Sequence, residues 1–174
     1  MKSIIVISGL PCTGKSTLSE AIATEMGIPV FSVDPIEAAM WRSGLAPSHQ
    51  TGVAAYEVAA TLAEEHLKLG QSVIVDAVSG MEIARSRWRD IARTHDARMI
   101  VIETTCPDLD LYRTRVERRV RNIPGMPELT WDTVELRLRE WEPWLDDRLV
   151  VDSRRPAAEL TQTALQYIAG KGTP

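Results

Sequence analysis

Gly9-Leu10-Pro11-Cys12-Thr13-Gly14-Lys15-Ser16 fits Gly-x-x-x-x-Gly-Lys-Ser at every fixed position. The apolar run Ser3-Ile4-Ile5-Val6-Ile7-Ser8 precedes it, and a helix-forming stretch from Thr17 to Met26 follows. Strand, loop and helix in that order turn a pattern match into a phosphate-binding loop. Glycines at both ends let the backbone fold around an anion with several N–H groups turned inward. The following helix adds its positive N-terminal end. Lys15 supplies a point charge for the β- and γ-phosphates of a nucleotide, and Ser16 a hydroxyl for Mg²⁺. The expected contact set is Gly9, Pro11, Cys12, Thr13, Gly14, Lys15, Ser16 and Thr17.

Outward from this loop, short Val- and Ile-rich runs alternate with amphipathic stretches, the pattern of a parallel sheet covered by helices on both faces. Strands are expected at Ser3–Ser8, Val30–Asp34, Ser72–Asp76, Arg98–Thr105 and Arg148–Asp152. Helices are expected at Lys15–Met26, Ile36–Ser43, Gly52–Leu69, Met81–Thr94, Leu109–Val120, Thr130–Trp141 and Ala157–Ile168. Gly27 and Gly70 stop two of them, and Asp108 and Thr130 start two others. Proline and glycine break the pattern between Ser43 and Gly52, and again from Asn122 to Glu128.

The 174 residues suit one domain, and no internal repeat or linker marks a second. With 44% hydrophobic and 25% charged residues and no long apolar run, membrane and disordered classes drop out. The chain enters a core strand after two residues, which leaves no room for a cleavable leader, so a cytoplasmic location is expected. Cys12 and Cys106 are too few for a disulfide framework or a zinc cluster and are expected as thiols. A net charge of −4 argues against a general nucleic-acid binder.

Two carboxylates close apolar runs. In a doubly wound sheet the carboxyl ends of the strands face the ligand crevice, so Asp34 and Asp76 should project toward Lys15. Asp76 would orient Mg²⁺ through a water, because that cation keeps much of its hydration shell. Asp34 is the candidate base, placed to accept a hydrogen bond from an acceptor hydroxyl, with Pro35 keeping it out of the helix that follows. The competing reading is an ordinary N-cap for the helix from Ile36. Glu37 either shares the substrate pocket or simply sits in that helix's first turn.

Arg113, Arg115, Arg118, Arg119 and Arg121 crowd into nine residues. Most such clusters are a solvated helix face. Arg115 and Arg119, four apart, share one face, which suits two guanidinium groups closing over a polyphosphate. Their helix runs into the hinge-like Asn122–Pro127, so residues of about 113–130 are expected to form a lid.

Taken together, the phosphate loop, Val33-Asp34-Pro35-Ile36-Glu37, Gly70-Gln71-Ser72-Val73-Ile74-Val75-Asp76, the arginine helix and the closing Val150-Val151-Asp152-Ser153 make the chain resemble small P-loop kinases of the AAA_33 type. That group includes the chloramphenicol phosphotransferase-like and zeta-toxin-like kinases. The resemblance implies a three-layer P-loop fold with strand order 2-3-1-4-5 and a helical lid. It also implies ATP with Mg²⁺, catalytic roles for Lys15, Asp34, Arg115 and Arg119, and an adenine site between the lid arginines and the loop Asp152 to Pro156, which carries Ser153 and Arg155. In chloramphenicol phosphotransferase-like enzymes the Asp at the place of Asp34 is implicated as the base.

Departures narrow the class. Related polynucleotide kinases carry Arg three residues after that Asp, whereas Glu37 stands here, which argues against a nucleic-acid acceptor. No Asn-Lys-x-Asp guanine motif is present, Asn122 being the only asparagine. The expected activity is ATP-dependent phosphoryl transfer to a hydroxyl of an antibiotic, sugar or nucleoside-like metabolite. The alternatives are a nucleoside or nucleotide kinase, for which Arg42 and Arg85 would be the acceptor cations, and a nucleotide-dependent regulatory module with weak ATPase activity. The acceptor is expected against the segment of about 36–65, with Trp41, Arg42, His49 and Tyr56 as candidate lining beside Asp34, Glu37 and Asp76. Trp41 on an apolar helix face is more often a core residue, and His49 reads as a solvent-facing loop residue. Trp131, Trp141 and Trp144 either pack the lid helices on the sheet or form the contact of a homodimer.

Overall fold

A computed structural model describes residues 1–171. Five parallel strands form one sheet: β1 (Ser3–Ser8), β2 (Val30–Ser32), β3 (Val73–Asp76), β4 (Arg98–Thr105) and β5 (Arg148–Asp152). Their order is β2-β3-β1-β4-β5. Among the described residues there are seven helices: α1 (Lys15–Met26), α2 (Val33–Arg42), α3 (His49–Lys68), α4 (Glu82–Thr94), α5 (Leu109–Arg118), α6 (Trp131–Arg139) and α7 (Ala157–Gly170).

The central strand shows why this layering forms. All six residues of β1 are buried, and alternate side chains serve opposite faces. Ile4 and Val6 pack with Val73, Val75 and Val101 under α3 and α4, where Ala55, Ala59 and Ala63, spaced four apart, let α3 sit close. Ile5 and Ile7 pack with Ile74, Ile100 and Ile102 under α1 and α7 through Leu18, Ile22, Leu160 and Ala164. Strands buried on both faces read as continuous apolar runs, which is why the parallel sheet was visible in the sequence. Trp144 belongs to the first core, with Trp141 packed against it. A third, smaller core joins Tyr112 and Val116 of α5 to Val134 of α6, with Leu10, Cys12 and Trp131 at its edge. α5 and α6 therefore rest on the phosphate loop itself.

Most boundaries agree with expectation, and the anticipated caps are present: Asp108 accepts from Leu111 N–H and Thr130 from Thr133 N–H. Three differ. β2 ends at Ser32 instead of Asp34, because Val33 already starts α2 and Ser32 takes the N-cap position. Asp34 therefore lies in the first turn of a helix rather than at a strand end. Pro35 continues that helix without penalty, since the first-turn N–H groups need no intrahelical acceptor. The helix expected from Gly52 begins at His49, where Ser48 and Thr51 form a reciprocal capping box; His49 is exposed but helical. α5 stops at Arg118, two residues early, which leaves Arg119 to Thr130 as irregular chain. Both cysteines are free. No helix of the described residues is long and apolar enough to cross a membrane.

Candidate active site

The loop after β1 turns tightly. Gly9 has φ 145° and Gly14 φ 91°, with Cys12 at φ 63° between them. At Gly9 there is no room for a side chain: a Cβ there would stand 2.4 Å from Thr104 O and 2.5 Å from Thr104 Oγ1. The loop is braced from neighbouring elements. Thr13 Oγ1 donates to Leu10 O (2.7 Å) and lies 2.6 Å from Thr104 Oγ1 at the end of β4. Tyr112 Oη donates to Pro11 O (2.7 Å) from α5. Neither Thr104 nor Tyr112 stood out in the sequence. The available signals were a Thr pair ending an apolar strand and a tyrosine four residues before Val116 on the apolar side of α5. Tyr112→Phe is expected to cost about 1–2 kcal/mol by leaving Pro11 O unpaired in a buried site. Chemical denaturation would show it, and an unchanged midpoint would remove the brace.

Lys15 Nζ folds back to donate to Leu10 O (3.1 Å). Burial pushes its pKa below the ordinary lysine value; the carboxylates of Asp76 and Asp34 oppose this, and Arg119 adds to it. Asp76, only 6% exposed, is pushed up by burial and pulled down by Lys15 and by a hydrogen bond from Ser16. Ser32 Oγ, 3.3 Å from Asp76 Oδ2, adds a further donor instead of capping α2. The strand register explains this diversion, since Ser32 pairs with Asp76 across β2 and β3.

The donor set fits Mg²⁺. One buried carboxylate beside one hydroxyl is what a cation needs when it keeps several waters and takes its remaining ligands from phosphate. Among the described residues no group of three or more His, Cys, Asp or Glu could hold a metal, so an all-protein cage is not the alternative.

Two cavities meet at Lys15 and Ser16. The larger, about 650 Å³, runs over Cys12–Leu18 and is walled by Thr114, Arg115, Arg118, Arg119, Ser153 and Arg155. Arg115 is docked by two hydrogen bonds, Nη1 to Ser153 Oγ (2.7 Å) and Nη2 to Ser153 O (2.9 Å). Arg119, just past the end of α5, places Nη1 3.5 Å from Cys12 Sγ. Both expected arginines thus face the phosphate loop, with Arg118 beside them.

The smaller cavity, about 330 Å³, lies on the other side of Lys15 and is lined by Glu20, Ser32, Asp34, Asp76, Arg119 and Arg121 among others. Asp34 and Asp76 therefore do converge on Lys15, although Asp34 arrives from a helix. Arg121, which the sequence marks only as one of the arginine cluster behind Arg115 and Arg119, places Nη2 3.1 Å from Asp34 Oδ2.

None of the other acceptor-side candidates lines this cavity. Glu37 accepts from Thr51 Oγ1 (3.0 Å), and Trp41 Nε1 donates to the same hydroxyl (3.1 Å), so both tie α2 to α3. Arg42 Nη1 bonds Pro124 O and holds the loop after α5 against α2. Tyr56 Oη accepts from Ser79 N–H (3.1 Å), and burial pushes its pKa up to about 12, with the Asp34 charge contributing. Arg85, expected as a possible acceptor cation, is fully buried. It donates to the carbonyls of Ser79, Gly80, Glu142 and Pro143 and stacks 4.2 Å from the Trp144 ring, so it is no part of an acceptor pocket.

The AAA_33 family profile, an AAA domain, matches residues 4–141. The chain belongs to the AAA_33 family. It is similar to a UPF0200 protein of Aeropyrum pernix, 28% identical over an alignment of 151 positions that covers 77% of this chain and 72% of the relative. Three solved structures share the fold. A Chloroflexus aurantiacus protein superposes with TM-score 0.77 at 23% identity, covering 97% of both chains. A sugar kinase of Janibacter sp. HTCC2649 gives 0.73 at 18% identity, covering 97% of this chain and 95% of its own. A gluconokinase of Sinorhizobium meliloti gives 0.71 at 19% identity, covering 96% and 91%. The fold of this AAA_33 chain is thus that of small P-loop kinases.

Proposed function

We propose that this protein transfers the γ-phosphoryl group of ATP to a hydroxyl of a small molecule. The observation that carries the reading is the pair of cavities meeting at Lys15, one lined by the phosphate loop and arginines, the other by Asp34 and Asp76. Phosphoryl transfer is mostly positioning and charge neutralisation, and this arrangement offers both.

On the donor side the loop N–H groups and Lys15 hold the phosphates, while Arg115 and Arg119 neutralise charge and keep water out. Arg155 and Ser153 wall the far end, where the base of ATP would lie. Ser16 and Asp76 would hold Mg²⁺, which when bound offsets charge on the β- and γ-phosphates. On the acceptor side Asp34 accepts the hydroxyl's hydrogen bond and receives its proton. The acceptor oxygen forms its bond to the γ-phosphorus as the bond from that phosphorus to ADP breaks.

The sugar kinase and gluconokinase with the same fold support a polyhydroxylated acceptor. A nucleotide acceptor is disfavoured because Arg85 is consumed in the core and Arg42 in a loop contact. The test is a mass-spectrometric screen of pooled hydroxyl metabolites with ATP and Mg²⁺ for products about 80 Da heavier, the mass of an added phosphoryl group. Acceptor-dependent ADP formation with a matching product is the expected result. Slow ATP hydrolysis indifferent to every acceptor would favour a nucleotide-dependent regulatory module instead.

A further inference from the structure

Arg121 enters the acceptor cavity from the irregular chain after α5. Its side chain is 9% exposed, Nη2 lies 3.1 Å from Asp34 Oδ2, and Nε is buried with no hydrogen-bond partner among the described residues. The residue is anchored from behind. Its backbone N–H lies 3.0 Å from each carboxylate oxygen of Glu128, and Nη1 reaches Pro127 O at 3.5 Å. Nε and Nη2 form the side edge of a guanidinium, which matches the two oxygens of a carboxylate. Asp34 engages one of those two donors and leaves the other unpaired. A buried N–H without an acceptor is rare because it is costly, so a ligand that supplies one is favoured.

The rest of the lining sets the ligand's charge. Glu20, Asp34 and Asp76 face the same space, and Lys15 and Arg119 are shared with the phosphate side. One guanidinium edge among three carboxylates suits a monoanion and repels a dianion such as a phosphate ester. We infer that the acceptor carries a carboxylate besides its reactive hydroxyl, and that Arg121 selects it; this rests on the kinase reading above. Seating a carboxylate on Nε and Nη2 displaces Asp34 from Nη2 and frees its oxygen for the acceptor hydroxyl. A neutral polyol, or water, leaves the Asp34–Arg121 pair in place. The substrate's charge thus releases the base, and hydrolysis of ATP in its absence is held down.

The experiment uses the full chain with Mg²⁺ and a non-hydrolysable ATP analogue. Calorimetry compares small aldonic acids with the alditols of the same carbon skeleton and with those alditols' terminal phosphate esters. For wild type, the acid should bind at least about 30-fold more tightly than either partner, the worth of a charge-assisted two-point contact. Arg121→Met should bring acid and alditol within about threefold of each other, with Arg121→Lys between; retained nucleotide affinity reports that the variants are folded. An alditol as tight as its acid, a tighter phosphate ester, no binding by any acid, or an acid preference that survives Arg121→Met each overturns the inference. If Arg121→Met does not fold, the wild-type ratios and Arg121→Lys decide. Transfer to alditols without acid preference overturns the role of Arg121 and leaves the kinase reading standing. Arg121-dependent acid binding without transfer to any acceptor keeps the carboxylate site and removes the kinase reading.

Discussion

Asp34→Asn is expected to lower the turnover of phosphoryl transfer by about a thousandfold, within the range for losing a general base, while nucleotide affinity stays within a few-fold. The two halves of this result come from different cavities. Asp34 lines the acceptor side and not the groove over Cys12–Leu18, so the substitution leaves the nucleotide's contacts alone. Asparagine keeps the size of the side chain and an oxygen that can still accept from Arg121, and it sits in a first helical turn that tolerates it. The ion pair with Arg121 involves a carboxylate that is 44% exposed, so stability should change by less than about 1 kcal/mol. What disappears is the capacity to take a proton and the charge that orients the hydroxyl. Single-turnover rates with saturating nucleotide separate chemistry from binding. Transfer within tenfold of wild type would remove Asp34 from the reaction and leave it as an anchor for Arg121.

The second large effect concerns folding. Arg85→Met is expected to destabilise the protein by about 3–5 kcal/mol, the range for removing one side of a buried charged network. Four backbone carbonyls, of Ser79, Gly80, Glu142 and Pro143, depend on this guanidinium, and the backbone cannot be mutated away with it. Methionine restores part of the volume and avoids the cost of burying a charge, but it satisfies none of those oxygens. Glu82, Glu103 and Glu142 partly offset that burial cost in the native protein, so less is recovered by deleting the charge. At this chain length the loss corresponds to a melting temperature lower by roughly 10 °C. Arg85→Lys, which keeps the charge but reaches fewer carbonyls, should fall between. Unfolding by urea measures both, and a change in Arg85→Met below about 1 kcal/mol would contradict the network.

How much of this was legible depended on the range of the interactions involved. β1, the phosphate loop and α1 could be read because their constraints are local: Ile4 to Ile7 fill two cores, Gly9 and Gly14 permit the turn, and Lys15 opens the helix. The sheet order agrees with what the kinase resemblance implied. The end of β2 was less legible. Whether Ser32 caps a helix or bonds a carboxylate depends on Asp76, which is 44 residues away. Arg121 was hidden for the same reason, since its partner Asp34 is 87 residues distant and its neighbours look like a solvated basic stretch. Arg85 gave a cue that was overlooked: it shares the buried side of α4 with Trp88 and Ala92, where a polar acceptor pocket has no room. Glu37 and Trp41 were open in the sequence between a pocket and a structural role, and Tyr56 was a pocket candidate because it is aromatic; each has a structural partner within the α2–α3 and β3–α4 region.

The tyrosine beneath the phosphate loop also governs which part of the chain around α5 can travel. Lifting α5 as a body would break the Tyr112–Pro11 hydrogen bond, pull Arg115 from Ser153 and expose the small core shared with Leu10 and Cys12. Swinging only the irregular chain from Val120 to Glu128 sacrifices polar contacts with Asp34 and Arg42 and none of that small core, while Arg119 stays beside the phosphate loop. The low-cost opening therefore bares the cavity lined by Asp34 and leaves the one over Cys12–Leu18 walled. Under the phosphoryl-transfer reading proposed above, such a build favours an ordered turnover in which ATP binds before the acceptor and ADP leaves after the phosphorylated product.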